Sequence, residues 1–549
     1  MGDPLLDLRD AVDAAAASLR DGEGGDATPS LERPPKADLG DYSTNAAMLL
    51  APARGEPPRE VADRLREELD DRLGSTAEKI EVAGPGFLNL FLTDRWYREG
   101  VAAVLGAGER FGAGVVAEPE RALVEFVSAN PTGPLTAAGG RHAAYGDSVA
   151  RILGFAGHEV GREYYVNDVG AQVRRFAESI AARMEGGEPP EDGYEGAYVE
   201  ELAHELADAG ADPHDLDALE RLGVERMRET VAATLERFGV GFDSWASERE
   251  LYVSGKVEAT MEELRRRGHV YESEGATWLR TTELGDDKDR VLVRSDGEPT
   301  YFQADVAYHW GKLERGFERL INVLGADHHG YVGRMRAALE ALGADPDCLE
   351  ALIMQLVHVV EGGERAQMSK RRGEFVTLDE LIDDIGANAA RFLMLQRSHD
   401  TTVDLDLELA RRQSQDNPVY YVQYAHARIA SILRKAGDNA VEGALGNVDS
   451  SLRAAVEPSE RALVKRLLEL PGDVSAAAQM RAPHRLCAYA MATAADFHAF
   501  YRDCKVVGAE SEGGSGPGTE AGRLAICVAT KRVIARTLEL LGVSAPERM

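Results

Sequence analysis

Cysteine is nearly missing from this 549-residue chain, and the four present, Cys348, Cys487, Cys504 and Cys527, are scattered without a Cys-x-x-Cys pair. Neither a disulfide framework nor a zinc site is indicated, and the expected role is that of small buried hydrophobes. No uninterrupted apolar run reaches the ~18 residues of a membrane span, and Met1–Arg20 reads as an acidic amphipathic helix, not a signal peptide. A cytoplasmic protein with no membrane partner is expected. Also absent are a Gly-x4-Gly-Lys-Ser/Thr loop, a strand-borne Gly-x-Gly-x-x-Gly, a His-Glu-x-x-His helix and a Gly-x-Ser-x-Gly elbow. P-loop, dinucleotide, zinc-protease and serine-hydrolase chemistry thereby lose their usual carriers.

Positive charge is the other shortage. Lys and Arg number 62 against 94 Asp and Glu, a formal net charge of −32, and lysine is scarce beside arginine. Taken alone, this argues against a nucleic-acid partner, because phosphate binding rests on a basic surface. A very salty cytoplasm, as in a halophilic archaeon, accounts for it better: at molar salt the Debye length falls to about 3 Å and self-repulsion is screened. On that reading the charge leaves RNA open as a partner and implies instability at low salt. A hydrophobic share of 44 % supports sizeable cores, and a prior of roughly 150 residues per domain suggests three or four.

The chain is organised around Val124–Gly146. A short apolar run at Leu123–Val127 breaks at Asn130-Pro131-Thr132-Gly133-Pro134 and resumes as an Ala-rich helical pattern to about Leu153; a second strand-like run follows at His158–Val166. Two strands joined by a helical crossover lie parallel. The loop and the helix N-terminus then sit at the carboxyl edge of the sheet, where unpaired N–H groups favour phosphate.

Before this unit, Asp3 caps a helix beginning at Pro4, a second helix fits Pro58–Leu73, and Lys79–Val82 and Gly86–Leu92 read as strands, which makes a small α/β domain. After it, about Phe176–Arg290 breaks the alternation of strands and helices and reads as an insertion, with helical runs at Asp215–Phe238 and Val253–Arg267. The sheet resumes near Val291, with strands at Leu320–Leu324 and Leu352–Val360 and a helix after Tyr331. Gly362-Gly363 and Gly373 flank Gln367-Met368-Ser369-Lys370-Arg371-Arg372, so a lysine on a mobile loop is expected to reach phosphates. After about Thr402 strand signals vanish and helices take over, at Asn417–Arg428, Ser459–Leu468, His484–Cys504 and Leu524–Leu541. The expected fold is multidomain α/β: a small N-terminal α/β domain (residues 1–105), a Rossmann-like parallel-sheet catalytic domain (120–400, insertion about 176–290) and an all-α helical bundle (405–549).

VEFVSANPTGPL followed by GGR is similar to the first signature of class I aminoacyl-tRNA synthetases in its arginyl-tRNA synthetase version. Tyr164-Tyr165-Val166-Asn167-Asp168, Gln367-Met368-Ser369-Lys370 and Asp416-Asn417-Pro418-Val419-Tyr420-Tyr421-Val422-Gln423-Tyr424-Ala425-His426-Ala427-Arg428 resemble further blocks of that family, in order along the chain. The resemblance implies ATP-dependent ligation of L-arginine to tRNA(Arg) through arginyl-adenylate, by a monomer, with Mg²⁺ accompanying ATP and no resident metal. It implies an arginine pocket at Glu125, Asn130, Tyr301 and Asp305, and ATP contacts at Pro134, Leu135, Gly139, Gly140, His328, His329, Met368 and Lys370. Catalytic roles fall to Lys370, Ser369 and Thr136. It further implies an N-terminal domain that touches the tRNA elbow, here through Asn45, and an anticodon-binding bundle carrying Tyr420, Tyr424, His426 and Arg428, where aromatics stack unpaired bases.

One departure stands out. The family carries His-x-Gly-His where this chain has Thr136-Ala137-Ala138-Gly139. Thr136, helix N-terminal N–H groups and His328 with His329 are the expected substitutes, ahead of His142. The alternatives are a catalytically silent paralogue that still binds tRNA and a generic acidic nucleotide-binding protein without an RNA partner.

Overall fold

A computed structural model describes residues 3–20, 28–326, 330–365, 376–446, 456–509 and 518–549. The N-terminal unit is a three-stranded antiparallel sheet in the order Tyr42–Thr44, Phe87–Leu92, Ala77–Ala83. Helices Pro4–Ser18, Pro58–Leu73 and Asp94–Ala107 pack against it through Leu8, Val12, Leu65, Leu69 and Trp96. Asp3 caps the first helix through the N–H groups of Leu5 and Leu6, as its place before Pro4 predicts. The Tyr42–Thr44 strand and the Ala46–Arg54 helix are additions to the elements expected from the sequence.

Five parallel strands make the central sheet, in the order Leu349–Met354, Arg319–Gly325, Arg121–Glu125, Glu159–Val166, Ser244–Ser247. Helix Ala137–Ala156 is the crossover from Arg121–Glu125 to Glu159–Val166, as the strand, loop and helix pattern predicts. The chain departs in opposite directions from the middle pair, Arg121–Glu125 and Arg319–Gly325, so the crevice above their carboxyl ends is where a ligand fits. The segment read as an insertion is not wholly outside the sheet, because Ser244–Ser247 pairs with Glu163–Val166 as the edge strand. The rest of it forms helices Ala171–Met184, Ala197–Asp208 and Leu216–Arg237 around their own apolar cluster, and a separate antiparallel sheet at Val270–Ser273, Ala276–Leu279 and Arg290–Val293.

Two expectations need correction. The run Leu352–Val360 is broken at Gln355-Leu356 into Leu349–Met354, in the central sheet, and Val357–Glu361, which leaves it. Strands also continue past Thr402: Val403–Asp406 pairs in parallel with Val357–Val360. Its four-residue alternation is too short to stand out by itself, and the long-range partner makes it a strand.

Helices Pro418–Ala436, Pro458–Leu468, Leu470–Gln479, Pro483–Asp503 and Thr519–Leu540 form the C-terminal bundle. All four cysteines are buried and free. The bundle is bound to the other units by buried polar contacts. Asp41 accepts from the Tyr97 hydroxyl, the Leu92 N–H and Lys465 Nζ (3.0 Å). In the catalytic unit, Arg391 and Asp147 form a fully buried ion pair (2.5 Å), and Arg391 also donates to the carbonyls of Phe238 and Leu541.

Candidate active site

The strand Arg121–Glu125 ends in a strained turn. Val127 and Ser128 adopt φ of +68° and +37°, a region that costs a non-glycine residue about 1–3 kcal/mol and is held only where the surroundings enforce it. Here they do. Ser128 Oγ donates to Glu125 Oε1 (3.1 Å) and accepts from the Tyr165 N–H (3.1 Å), Tyr164 Oη donates to the Ala129 carbonyl (2.9 Å), and Tyr198 Oη of the inserted helices donates to the Thr132 carbonyl (2.8 Å).

Under this turn lies a cavity of about 660 Å³ at the switch point of the sheet. Three carboxyl groups line it, Glu125, Glu248 and Asp305, together with Asn130, His142, Tyr165, Tyr301 and Tyr308. Asp305 comes from helix Tyr301–Glu314, and its side chain makes no hydrogen bond among the described residues. Burial, with the negative charges of Glu248 and Glu125 nearby, pushes its carboxyl up to about 7 against the pull of Arg334 and Lys312. Glu248 opens the helix Glu248–Val253, which Asp168 fixes by accepting from Ser247 Oγ (2.6 Å) and the Arg249 N–H (2.8 Å). Burial is the main cause that lifts Glu248 to about 7, with the Asp168 carboxylate adding to it. The Asn167 amide, turned to face its acceptors, donates to Glu248 Oε2 (2.8 Å), while the Tyr165 hydroxyl is the group nearby that pulls the Glu248 carboxyl down.

Glu125 is different. Its Oε2 lies 2.6 Å from Nζ of Lys312, which is 1 % exposed. Beneath this pair, burial alone would raise Glu163, but Arg315, Lys312 and Ser244 hold it down at about 2, and Tyr308 Oη donates to it (2.9 Å). Chemically, the cavity offers a buried carboxyl group, Glu248, and a half-buried one, Asp305, neither of which forms an ion pair among the described residues, walled by aromatic rings. That suits a cation able to make several hydrogen bonds, and a planar guanidinium above others.

The structure thus brings Glu125, Asn130, Tyr301 and Asp305 to one cavity. Tyr301 stands at its mouth, 62 % exposed, with its hydroxyl over Gly170, where an added Cβ would come within 2.6 Å. Asn130 is at the rim and donates to Gln172 Oε1 (2.7 Å). Sequence reasoning passed over Glu248, which has no recognisable motif. It also passed over His309 and Lys312, which a helical reading from Asp305 at steps of four and seven would have placed on the same face.

Pro134, Leu135, Thr136, Gly139 and Gly140 lie beside this cavity and do not line it. Thr136 is the N-cap of Ala137–Ala156 and accepts from the Gly139 N–H (3.3 Å). Leu135 is buried, and the space that glycine leaves at 140 is taken by Leu378, whose Cδ1 is 2.7 Å from where a Cβ would stand. The same stretch is stitched to Val376–Leu378: Ala137 N–H donates to Val376 O (3.1 Å) and Leu378 N–H to Leu135 O (2.7 Å). His328, His329, Met368, Ser369 and Lys370 lie outside the described residues. Among the described residues no group of three or more His, Cys, Asp or Glu could hold a metal ion.

On the bundle, Tyr420 and Tyr424 stack (6.1 Å, 10°), and the Arg428 guanidinium lies over Tyr424 and over Tyr501, which is 40 % exposed. His426 does not share this face, which corrects the expectation for it: it is buried and its Nδ1 donates to the Pro546 carbonyl (2.9 Å). On a helix, position 426 lies about 180° round from the face shared by 424 and 428, so it turns inward and takes a backbone partner. In the N-terminal unit, Asp41 and Tyr42 are buried against the bundle, while Asn45 stays half-exposed and accepts from the Ser30 N–H. No helix among the described residues is long and apolar enough to cross a membrane.

Three family models match the chain: an arginyl-tRNA synthetase N-terminal domain over residues 6–92, a class I (R) tRNA synthetase catalytic domain over 218–429, and a DALR anticodon-binding domain over 422–549. The chain is 46 % identical to the arginine–tRNA ligase of Frankia alni, covering 99 % of both chains. It is 42 % identical to that of Carboxydothermus hydrogenoformans, covering 94 % of both. Its fold is similar to that of Thermus thermophilus arginyl-tRNA synthetase, with a TM-score of 0.77 at 26 % identity and full coverage of both chains.

Proposed function

Because the chain belongs to the arginyl-tRNA synthetase family, we propose that the cavity under Val127–Asn130 is its arginine pocket, and that Asp305 and Glu248 receive the guanidinium. The activity follows from membership: ATP-dependent ligation of L-arginine to its tRNA. The arginine carboxylate attacks the α-phosphorus of ATP, giving arginyl-adenylate and pyrophosphate, and the arginyl group then passes to the terminal ribose of the tRNA with release of AMP. The relatives do not support the silent-paralogue alternative, since proteins this similar over nearly full length are named arginine–tRNA ligases.

One observation carries the pocket assignment: Asp305 and Glu248 both face the cavity with carboxyls lifted to about 7, and among the described residues neither forms an ion pair. Tyr301 and Asn130 at the mouth are placed to hold the α-amino and carboxylate end. The pH dependence of arginine binding tests this. Both carboxyls must lose protons to meet a guanidinium, so arginine affinity should fall as pH drops below about 7, by roughly tenfold per unit for each carboxyl that titrates. Stability runs the other way. A carboxyl raised by folding stabilises the free protein below the ordinary carboxylate pKa and loses that contribution as pH rises through about 7. Arginine should therefore raise the melting temperature more at pH 8 than at pH 6. An arginine affinity indifferent to pH from 6 to 8 would remove both carboxyls from the pocket.

For ATP, we assign the triphosphate to the Pro134–Gly140 stretch, with Thr136 and the helix N-terminal N–H groups facing it, and to Ser369 and Lys370. Mg²⁺ enters with ATP as part of the substrate and offsets phosphate charge. His142 lies in the cavity wall one turn beyond Gly139 and is a nearer source of imidazole than its place in the sequence suggests. If the site works without the usual histidine pair, Thr136→His with Gly139→His should change kcat by less than about tenfold. A gain near the ~100- to 1000-fold that one preorganised donor is worth would mean the native site is crippled.

Tyr420, Tyr424 and Arg428 form the anticodon-stacking face in this reading, and Asn45 the elbow contact. The chain acts as a cytoplasmic monomer. The relatives from Frankia alni and Carboxydothermus hydrogenoformans are bacterial and do not support an archaeal source; the net charge of −32 supports adaptation to high salt. It predicts a melting temperature that rises steeply between dilute buffer and molar KCl, as the Debye length shrinks from about 10 Å or more towards 3 Å. A melting temperature flat across that range would refute it.

A further inference from the structure

Arg141 is a buried cation that neither the arginine nor the ATP reading uses. It lies fully buried on helix Ala137–Ala156, just past the stretch assigned to the triphosphate, and does not line the cavity. Among the described residues no carboxylate pairs with it. Its partners are two backbone carbonyls: Nη1 donates to Gln355 O (2.8 Å) and Nη2 to Ser398 O (2.8 Å). Burial lowers its pKa accordingly. A guanidinium taken out of water without a counter-charge is costly, so its geometry asks for a use. Both carbonyls stand at chain junctions. Gln355 is the first residue after the edge strand Leu349–Met354, where the chain leaves the central sheet, and Ser398 lies just past the end of helix Leu378–Leu395. The Gln355 N–H donates to His399 O (2.8 Å), which ties the two junctions to each other. Tyr145, one turn on from Arg141 and on the same face, reaches a third: its hydroxyl donates to the carbonyl of Arg481 (2.7 Å), a residue held at a φ of +51° between two helices of the bundle.

Resting on the assignment of the triphosphate to Pro134–Gly140, we propose that Arg141 is a positioning residue for adenylate formation: its planar fork bridges the Gln355 and Ser398 carbonyls and so fixes the N-terminus of the crossover helix against helix Leu378–Leu395. The start of that second helix is already stitched to the triphosphate stretch, by Ala137 N–H to Val376 O and Leu378 N–H to Leu135 O, with Leu378 filling the space at Gly140. Contact at the start does not fix the end, because Gly386, at φ +77° and ψ 153°, divides the helix. Arg141 grips the end. With both ends held, the first-turn N–H groups of Ala137–Ala156 keep one position and one direction. Preorganised donors stabilise developing charge only when aligned with it, and a displacement of about 1 Å costs on the order of 100-fold in rate. Misalignment of this kind appears in kcat more than in KM, since ground-state binding of ATP is less demanding of geometry. Lysine is no substitute: an ammonium is a point charge on a flexible stem, whereas the guanidinium reaches two acceptors from one plane.

The test compares the full chain with its variants Arg141→Met, Arg141→Lys, Tyr145→Phe and Gly139→Glu. Pyrophosphate exchange with tRNA present gives kcat and the ATP KM, and calorimetric titration with L-arginine gives its affinity. Arg141→Met should lower kcat by roughly 30- to 100-fold, with the ATP KM and the arginine affinity each within about threefold of wild type. A merely structural role does not produce that split. Arg141→Lys keeps the charge and loses the fork, and its kcat should fall by about tenfold or more. Tyr145→Phe removes one hydroxyl from the same face and keeps the packing; its kcat should fall by at least about threefold, and it carries the test if neither Arg141 variant folds. A kcat for Arg141→Met within about threefold of wild type, or a fully active Arg141→Lys, overturns the proposal. So does arginine affinity lost in step with kcat, which marks a general loosening, and, where the Arg141 variants do not fold, a Tyr145→Phe enzyme as fast as wild type. Gly139→Glu tests the underlying assignment separately. An added Cβ there meets only ordinary contacts, and the new carboxylate should raise the ATP KM by about tenfold or more through repulsion of the phosphates. An ATP KM unchanged in Gly139→Glu overturns the triphosphate reading on which the proposal rests.

Discussion

Asp305→Asn should raise the arginine KM by roughly thirtyfold or more and leave the ATP KM nearly unchanged. The substitution is isosteric, so the Tyr301–Glu314 helix and its neighbours keep their packing. What is lost is one of two carboxylates that face the cavity without an ion-pair partner among the described residues. Removing one partner of a desolvated, charge-assisted contact costs on the order of 2–5 kcal/mol, and here that appears as lost affinity for a guanidinium. The free protein should respond with the opposite sign. Asp305 is held beside Glu248 and Glu125, so a neutral amide relieves repulsion and should raise the melting temperature at pH 8. Gain of stability with loss of substrate affinity marks a group kept for binding. Equal changes in both KM values would place Asp305 outside the arginine pocket.

Arg391→Met is expected to destabilise the protein by about 3–5 kcal/mol, because it leaves a buried carboxylate without its main partner. Asp147 is fully buried, and its other cation, Arg151, is partly exposed. The loss extends beyond the pair. Arg391 Nε donates to the Leu541 carbonyl at the end of the last helix and Nη1 to the Phe238 carbonyl at the end of an inserted helix, so two backbone acceptors lose a donor together. Gly542 leaves the room for this, since an added Cβ there would collide with the guanidinium. Denaturant unfolding monitored by both near- and far-UV circular dichroism measures the effect. A loss under about 1 kcal/mol would mean that water replaces the guanidinium and that the site is not dry. Asp147→Asn with Arg391→Met should recover much of the loss, because the uncompensated charge is gone.

How far the sequence could be read depended on whether the signal was local. Helix Pro58–Leu73 follows from apolar spacing within a few residues and stands where periodicity put it. The strand, loop and helix around Val124–Gly146 were legible for the same reason, and the meeting of Glu125, at a strand end, with Asp305, in a helix, was implied by the family resemblance. Val403–Asp406 and Ser244–Ser247 were not, because each is a four-residue strand whose identity is supplied by a partner far away in the chain. His426 has the look of an exposed binding residue in a row of tyrosines, and only the position of the Pro546 carbonyl turns it inward.

The sequence by itself determined the architecture, three units in order, because periodicity and turn signals act over a turn or a strand, and its resemblance to a known family implied the class of chemistry. The tertiary structure alone decided which carboxyl groups are free to bind. Glu125, Glu248 and Asp305 are the same kind of group in sequence. The distance to Lys312 gives the first an ion pair, and among the described residues the other two form none. Charge interactions depend on separation and desolvation, and for residues 123 and 180 positions apart in the chain, only the fold supplies either.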